Sequence, residues 1–280
     1  MVTDMYERVS PAHPDKIADR IAGALVDLAY KAEDNPRIAV EVLIGHEVCT
    51  IIYESSVFID EDRIKEAVYR ITGTYLWDFH IDWNPQDAHL SKNQDGGIRC
   101  GDNGIFKGCP ITDEQRRLTD TMRAIYETFP YDGKAVLDND RIILCQSHVE
   151  DYHELLPFLE GYSDYLINPL GPWTGGPDVD TGLTGRKLGS DMGDAVTGGS
   201  IQGKDYSKAD VSVNIACHLL AQAHGQVCTA SCAIGDEEIT FRFEDEDMTI
   251  TEPYENVVQM ARNYVSDLGG FEKLAEWGLV

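Results

Sequence analysis

Residues 168–210 read NPLGPWTGGPDVDTGLTGRKLGSDMGDAVTGGSIQGKDYSKAD. Glycine takes ten of these 43 positions. Among the glycines stand Arg186-Lys187, Lys204 and Lys208, and the acids Asp178, Asp180 and Asp210. Glycine brings backbone N–H groups close to a ligand and tolerates positive φ, while guanidinium and ammonium groups bind phosphate oxygens. The combination suggests a polyphosphate site. A second segment, Ser10-Pro-Ala-His-Pro-Asp-Lys-Ile-Ala-Asp19, puts Pro14 at a first helical position, His13 at the N-cap and Asp15 in the first turn. Lys16 in that turn opposes the helix dipole, and a local rule broken at a helix start often marks function. A helix N-terminus flanked by His and Lys holds phosphate oxygens, and an Asp there holds Mg²⁺. Taken alone, the segment also reads as an ordinary capped helix.

The charge balance sharpens this reading. The net charge is −26, so nucleic acid and anionic membranes should repel the chain. Such acidity reads as a solubility device, as in high-salt cytoplasm, rather than as an acidic interaction surface. Of only 23 lysines and arginines, six (Lys16, Lys134, Arg186, Lys187, Lys204 and Lys208) lie in Gly- or Asp-rich motif segments. A chain this poor in cations must focus them to bind an anion. The seven cysteines are odd in number and lack a C-x-x-C, and several fall in apolar runs, which reads as reduced, buried thiols. No apolar leader and no run of about 18 apolar residues appears. The expectation is a cytoplasmic protein with no membrane partner.

Five helices should carry these groups. They start near Pro14, span 61–72, open at the capping box Thr112-x-x-Gln115, start near Ser207, and cover 254–268. Strand-like runs lie at 37–44, 47–53, 141–146, 226–234 and 238–243, with a tight hairpin at Gly45-His46. Runs of strands interrupted by single helices imply an α+β architecture. The order strand–strand–helix occurs at 37–72 and again at 226–268, with a weaker copy expected in the middle. Boundaries are weakly marked; the best candidates are the Gly/Asp-rich run 95–108 and the loop 168–176. The expected segments are 1–98, 99–171 and 172–280.

Read together, the segments His13–Lys16, Gly101–Gly104, Gly175–Lys187 and Gly203–Asp210 resemble, in order, the HPDK, GDxG, GGPxxDxGLTGRK and GKDxSKxD elements of the S-adenosylmethionine synthetases. The resemblance spans nearly the whole chain. It implies that family's fold: three pseudo-repeated sheet-plus-helix units, with mixed and antiparallel sheets carrying helices on one face. It implies S-adenosylmethionine synthesis from ATP and L-methionine, with the released triphosphate cleaved to phosphate and pyrophosphate. It also implies a homodimer or dimer of dimers with shared sites, two Mg²⁺ per site, and K⁺.

Roles carry over position by position as implications of the resemblance. His13, Lys134, Arg186 and Lys204 match catalytic positions. Asp132, Trp173, Asp180, Lys187, Ser200 and Ile234 join them at ATP, with Trp173 stacking on adenine and Ile234 as its apolar partner. Glu54, Gln94, Asp102, Asp180 and Lys208 match methionine-site positions. Asp15 and Asp210 match Mg²⁺ ligands, and Glu41 a K⁺ ligand. The chain departs from the pattern in being short, above all between Gln94 and Gly101, where the family usually has a closing loop. Pro172 also stands where an arginine commonly precedes the aromatic. These departures imply an active but slower, less gated enzyme with a more open methionine pocket. The alternatives are a catalytically inactive nucleotide-binding or regulatory homologue and a tripolyphosphatase-only enzyme.

Overall fold

The computed structural model describes residues 5–74, 77–244 and 248–280. In chain order the first elements are β1 (Met5–Val9), α1 (Pro14–Ala32), β2 (Ile38–Gly45), β3 (Val48–Ser55), α2 (Glu61–Thr72), β4 (Asp78–Pro85) and α3 (Ala88–Asn93). There follow β5 (Gly104–Gly108), α4 (Asp113–Thr128), β6 (Gly133–Asp138), β7 (Arg141–Gln146) and β8 (Asp164–Ile167). The last are β9 (Gly182–Leu183), α5 (Leu188–Met192), α6 (Ala209–His224), β10 (Cys228–Cys232), β11 (Glu238–Phe243), β12 (Thr249–Pro253), α7 (Tyr254–Leu268) and α8 (Phe271–Trp277).

Local chemistry explains the helix ends. His13 caps α1 through its ring and Pro14 fills the first position. Thr112 and Gln115 close the capping box of α4 reciprocally. Gly73, Gly225 and Gly269 end α2, α6 and α7 in the left-handed conformation. The β2–β3 hairpin turns on His46 and Glu47, both at positive φ. That is the primed geometry which matches strand twist. The expected hairpin is therefore present, one residue further along than Gly45-His46.

Among the described residues the strands form three four-stranded sheets, ordered β1-β6-β7-β8, β12-β11-β10-β5 and β4-β3-β2-β9. The unit β2-β3-α2-β4, with β4 parallel to β3, recurs as β6-β7-β8, with β8 parallel to β7. In this middle copy a 3₁₀ segment, Tyr152–Leu159, replaces the helix. The weaker central repeat expected from the sequence is thus present, and the fold is the anticipated α+β one.

The units also exchange strands. β1 precedes α1 but pairs with β6, β5 precedes α4 but pairs with β10, and β9 precedes α6 but pairs with β2. Each sheet therefore takes one strand from another third of the chain, and the exchange closes a ring of three. Two apolar cores follow from this arrangement. The larger joins α1, α6 and α7 to the β2 and β10 sheets, and the smaller packs Leu118, Met122 and Ile125 of α4 on Ala135, Leu137, Ile142 and Leu144. All seven cysteines are free thiols, five of them buried. No described helix is long and apolar enough to cross a membrane.

Candidate active site

The start of α1 is the centre of the site. The Asp15 N–H donates to His13 Nδ1 at 3.1 Å. The Asp15 carboxylate accepts the Leu183 N–H at 2.8 Å and Lys187 Nζ at 2.6 Å, with Arg186 at 3.7 Å. Strand β9 reaches it because residue 182 is glycine. A Cβ there would lie 2.0 Å from the Pro14 carbonyl oxygen, so only glycine lets the strand pass the first turn of the helix. Burial pushes Asp15 upward, but the Lys187 and Leu183 hydrogen bonds outweigh it and hold the carboxyl below its ordinary value. Burial and then the Lys187 charge press His13 down to about 4, so its ring is neutral near pH 7.

The β6 edge completes this first group. Asp132 is buried, accepts the Gly176 N–H at 3.0 Å, and is pushed by burial up to about 6. Lys134 pairs with Glu7 at 2.5 Å and is near enough for its charge to act on His13. Asp180 is exposed, and its charge acts on both His13 and Asp132. Trp173 stands at the margin, its Nε1–H donating to Asn168 Oδ1 at 3.2 Å and its ring beside Gly175 and Asp132.

A second group sits at the other end of β2. Lys204 lies opposite Ala39 and pairs with Asp210 at 2.5 Å. Glu41, two residues along β2, feels the Lys204 charge while burial raises its pKa. Ser200 lies between the groups: its Oγ accepts the Gln202 N–H at 3.1 Å, and it faces Gly185. Asp15 is anchored at Leu183, opposite Leu43, whereas Lys204 is opposite Ala39. Four residues of strand span roughly 13 Å. Within one chain the anchors of the two carboxylates are thus set apart along β2.

Of the methionine-site candidates, Asp102, Gln94 and Lys208 lie in a third region around Gly101, whereas Asp180 is in the first group and Glu54 pairs with Ala39 beside the second. Asp102 accepts the Asn103 N–H at 2.9 Å, and Asn103 Oδ1 accepts the Ile234 N–H at 3.2 Å, so Asp102 and Ile234 are neighbours. The Gly101 N–H donates to the Ser207 carbonyl, which hangs this turn beside Lys208 at the N-cap of α6. Gln94 is buried under Gly101, and its side-chain oxygen accepts from Gln86 at 2.5 Å. Glu54 is exposed on the outer face of β3.

Lys16 requires a correction. It is buried rather than presented to phosphate, and it pairs with Asp191 and, at 3.3 Å, with Asp19. Asp191 in turn accepts Gln202 Nε2 at 2.9 Å, and Asp19 accepts the Gly185 N–H at 2.8 Å. Sequence reading missed Asp19, although its spacing of four from Asp15 on one helix was the available signal. Asp15 and Asp19 together fix the Leu183–Lys187 loop to α1. Lys16→Met will therefore destabilise the fold by roughly 3–5 kcal/mol, because it leaves buried carboxylates unpaired. Urea melts check this; a variant as stable as the parent with only a raised KM for ATP would return Lys16 to the phosphate.

Among the described residues no three His, Cys, Asp or Glu side chains converge as a metal cluster. Mg²⁺ does not require such a cluster. It takes one or two carboxylates and fills its octahedron with water and substrate phosphate oxygens. Asp15 and Asp210 are single hard-oxygen donors of that kind, each beside a lysine.

Comparison with known proteins agrees with the fold and the family. Residues 3–86 match the family described as "S-adenosylmethionine synthetase, N-terminal domain". The chain is 29% identical over 345 residues to an S-adenosylmethionine synthase of Rhizorhabdus wittichii, covering 94% of the chain and 85% of that protein. It is 30% identical over 277 residues to an S-adenosylmethionine synthase of Fusobacterium nucleatum, covering 77% and 71%. The structure titled "Structure of an Unusual S-adenosylmethionine synthetase from Campylobacter jejuni" superposes with a TM-score of 0.77 at 20% identity, over 100% of this chain and 95% of that one.

Proposed function

We infer, because the chain belongs to the S-adenosylmethionine synthetase family, that it transfers the adenosyl group of ATP to the sulfur of L-methionine. A thioether carries no proton, so the nucleophile needs no general base; it needs alignment with C5′ and a stabilised leaving group. The triphosphate leaves with about one extra negative charge. Lys187, Arg186 and Lys134 converge around His13 to take the phosphate chain, and neutral His13 donates a hydrogen bond to the oxygen leaving C5′. Trp173 stacks on adenine beside Asp132, and Ile234 closes its other face. Asp102, with Asp180, steadies the sulfonium as charge appears on sulfur, while Glu54, Gln94 and Lys208 hold methionine. Asp15 and Asp210 would hold Mg²⁺, which when bound neutralises phosphate charge, and Glu41 would hold K⁺. The same cations serve the later cleavage of triphosphate.

A single observation carries the shared-site reading: the two lysine–carboxylate pairs, Lys187–Asp15 and Lys204–Asp210, lie at opposite ends of β2. A two-fold pair of chains brings one end of each strand to the other end of its partner. The outer face of this sheet supports such a pairing, since Leu43 and Ile52 are 48% and 49% exposed and Val48 and Leu183 flank them. The link after Gln94 is only a 3₁₀ turn before Cys100 returns to hydrogen-bond Asp236, which favours a less gated site.

One assay separates the readings. The protein is incubated with ATP, methionine, Mg²⁺ and K⁺, and S-adenosylmethionine and phosphate are measured. Sulfonium product is the expected result. Phosphate alone would mark a tripolyphosphatase, and bound nucleotide with neither product an inactive homologue.

A further inference from the structure

Three of the chain's scarce cations line one cleft away from every residue assigned above. A cleft of about 330 Å³ lies between α4, α6, α7 and α8, within the usual size for small ligands. Arg116, Arg123 and Lys273 line it, against the single acid Asp120. In a chain of net charge −26, three cations against Asp120 and, beside Lys273, Glu276 still leave a net positive charge. Arg123 is 3.8 Å from Asp120, Lys273 is 2.7 Å from Glu276, and Arg116 has no ion pair among the described residues.

The cleft also holds polar groups without partners. His218 is 7% exposed and lines the cleft, yet its ring makes no hydrogen bond to a described residue. Its ring nitrogens are not among the atoms shut off from solvent without a partner, so a ligand in the cleft can reach them. Burial lowers its pKa to about 4, so near pH 7 it offers one N–H donor and one acceptor. The Tyr264 hydroxyl, also on the wall, likewise has no partner among the described residues. Two aromatic surfaces complete the cleft: Trp277, with the Arg123 guanidinium 5.4 Å from its centroid, and the Tyr264 ring. A stacked guanidinium keeps its in-plane N–H donors for an anion. One carboxylate would occupy one guanidinium, whereas a phosphoryl group offers three oxygens to donors on separate helices.

We propose that this cleft binds a small phosphate monoester, with Arg116, Arg123 and Lys273 on the phosphoryl oxygens, the organic part against Trp277 and Tyr264, and His218 as its hydrogen-bond partner. No candidate catalytic residue lines the cleft, so it is a second site.

Calorimetric titration of the full chain with phenyl phosphate tests this, with benzoate as the carboxylate counterpart. The expected result is saturable phenyl phosphate binding that survives Lys187→Ala, weakens at least about tenfold in Arg116→Ala/Arg123→Ala, and exceeds benzoate binding by a similar factor. The exposed Lys273→Gln substitution gives a second variant in which binding should fall. The double arginine variant should keep its basal rate of S-adenosylmethionine formation. No heat up to about 10 mM phenyl phosphate, an affinity too weak for a specific site, would overturn the proposal. Binding lost in Lys187→Ala but kept in the arginine variant would assign the ligand to the catalytic cations instead. Benzoate binding as tightly as phenyl phosphate would overturn the phosphate assignment.

Discussion

Asp15→Asn will lower turnover with ATP and methionine roughly a hundred- to thousandfold, the usual cost of removing one preorganised group from a reacting centre. The substitution is chosen because it spares the scaffold. Asn keeps an oxygen to accept the Leu183 N–H, so β9 stays against α1. What it loses is charge: Lys187 loses its anionic partner at 2.6 Å and the metal loses a hard ligand. The fall should lie in kcat, with only a small loss of thermal stability from the missing Lys187 ion pair. A loss under about tenfold would remove Asp15 from the chemistry.

The same variant carries a pH signature. Asp15 is held below its ordinary value, so its contribution to stability is present above the unfolded carboxylate pKa and is lost as pH falls through the folded one. Asp15→Asn should flatten that acid limb in urea melts, and an unchanged limb would mean that the Lys187 contact is absent in solution.

Mixing two dead chains will restore activity. If each site takes Asp15 from one chain and Asp210 from its partner, then Asp15→Asn and Asp210→Asn are each inactive alone. In a randomly paired mixture about half of the dimers are mixed, and each mixed dimer has one intact site and one doubly altered site. Co-expression should therefore recover roughly a quarter of parental activity, a rise far above either variant alone. No recovery, with mixed dimers demonstrated by differential tagging, would place both carboxylates in one chain's site. The roughly 13 Å of strand between their anchors argues against that outcome.

Much of the local structure was legible because its causes are local. Thr112-x-x-Gln115 specified the start of α4 by two hydrogen bonds within four residues. Helices 61–72 and 254–268 and strands 141–146 and 238–243 have the bounds that periodicity gave. Short elements with little period of their own were not legible. β5 and the two-residue β9 exist because β10 and β2 offer edges to pair with, and nothing within five residues of sequence encodes a partner more than a hundred residues away. Lys16 shows the same limit at one residue. Its place in the first turn of α1 follows from local spacing, but its destination depends on Asp191, 175 residues downstream.

By itself the sequence determined the chemistry on offer. It gave the inventory of cations and carboxylates, their order along the chain, the helix starts that present them, and through the motif order the family, because each of these depends on residue type and short spacing. Only the tertiary structure decided how that inventory is partitioned: Asp15 with Lys187 at one end of β2, Asp210 with Lys204 at the other, Lys16 withdrawn beneath both. That partition comes from the three-way exchange of β1, β5 and β9. It is set by long-range strand pairing and by which carboxylate lies nearest each buried charge, and neither quantity is written in the spacing of neighbouring residues.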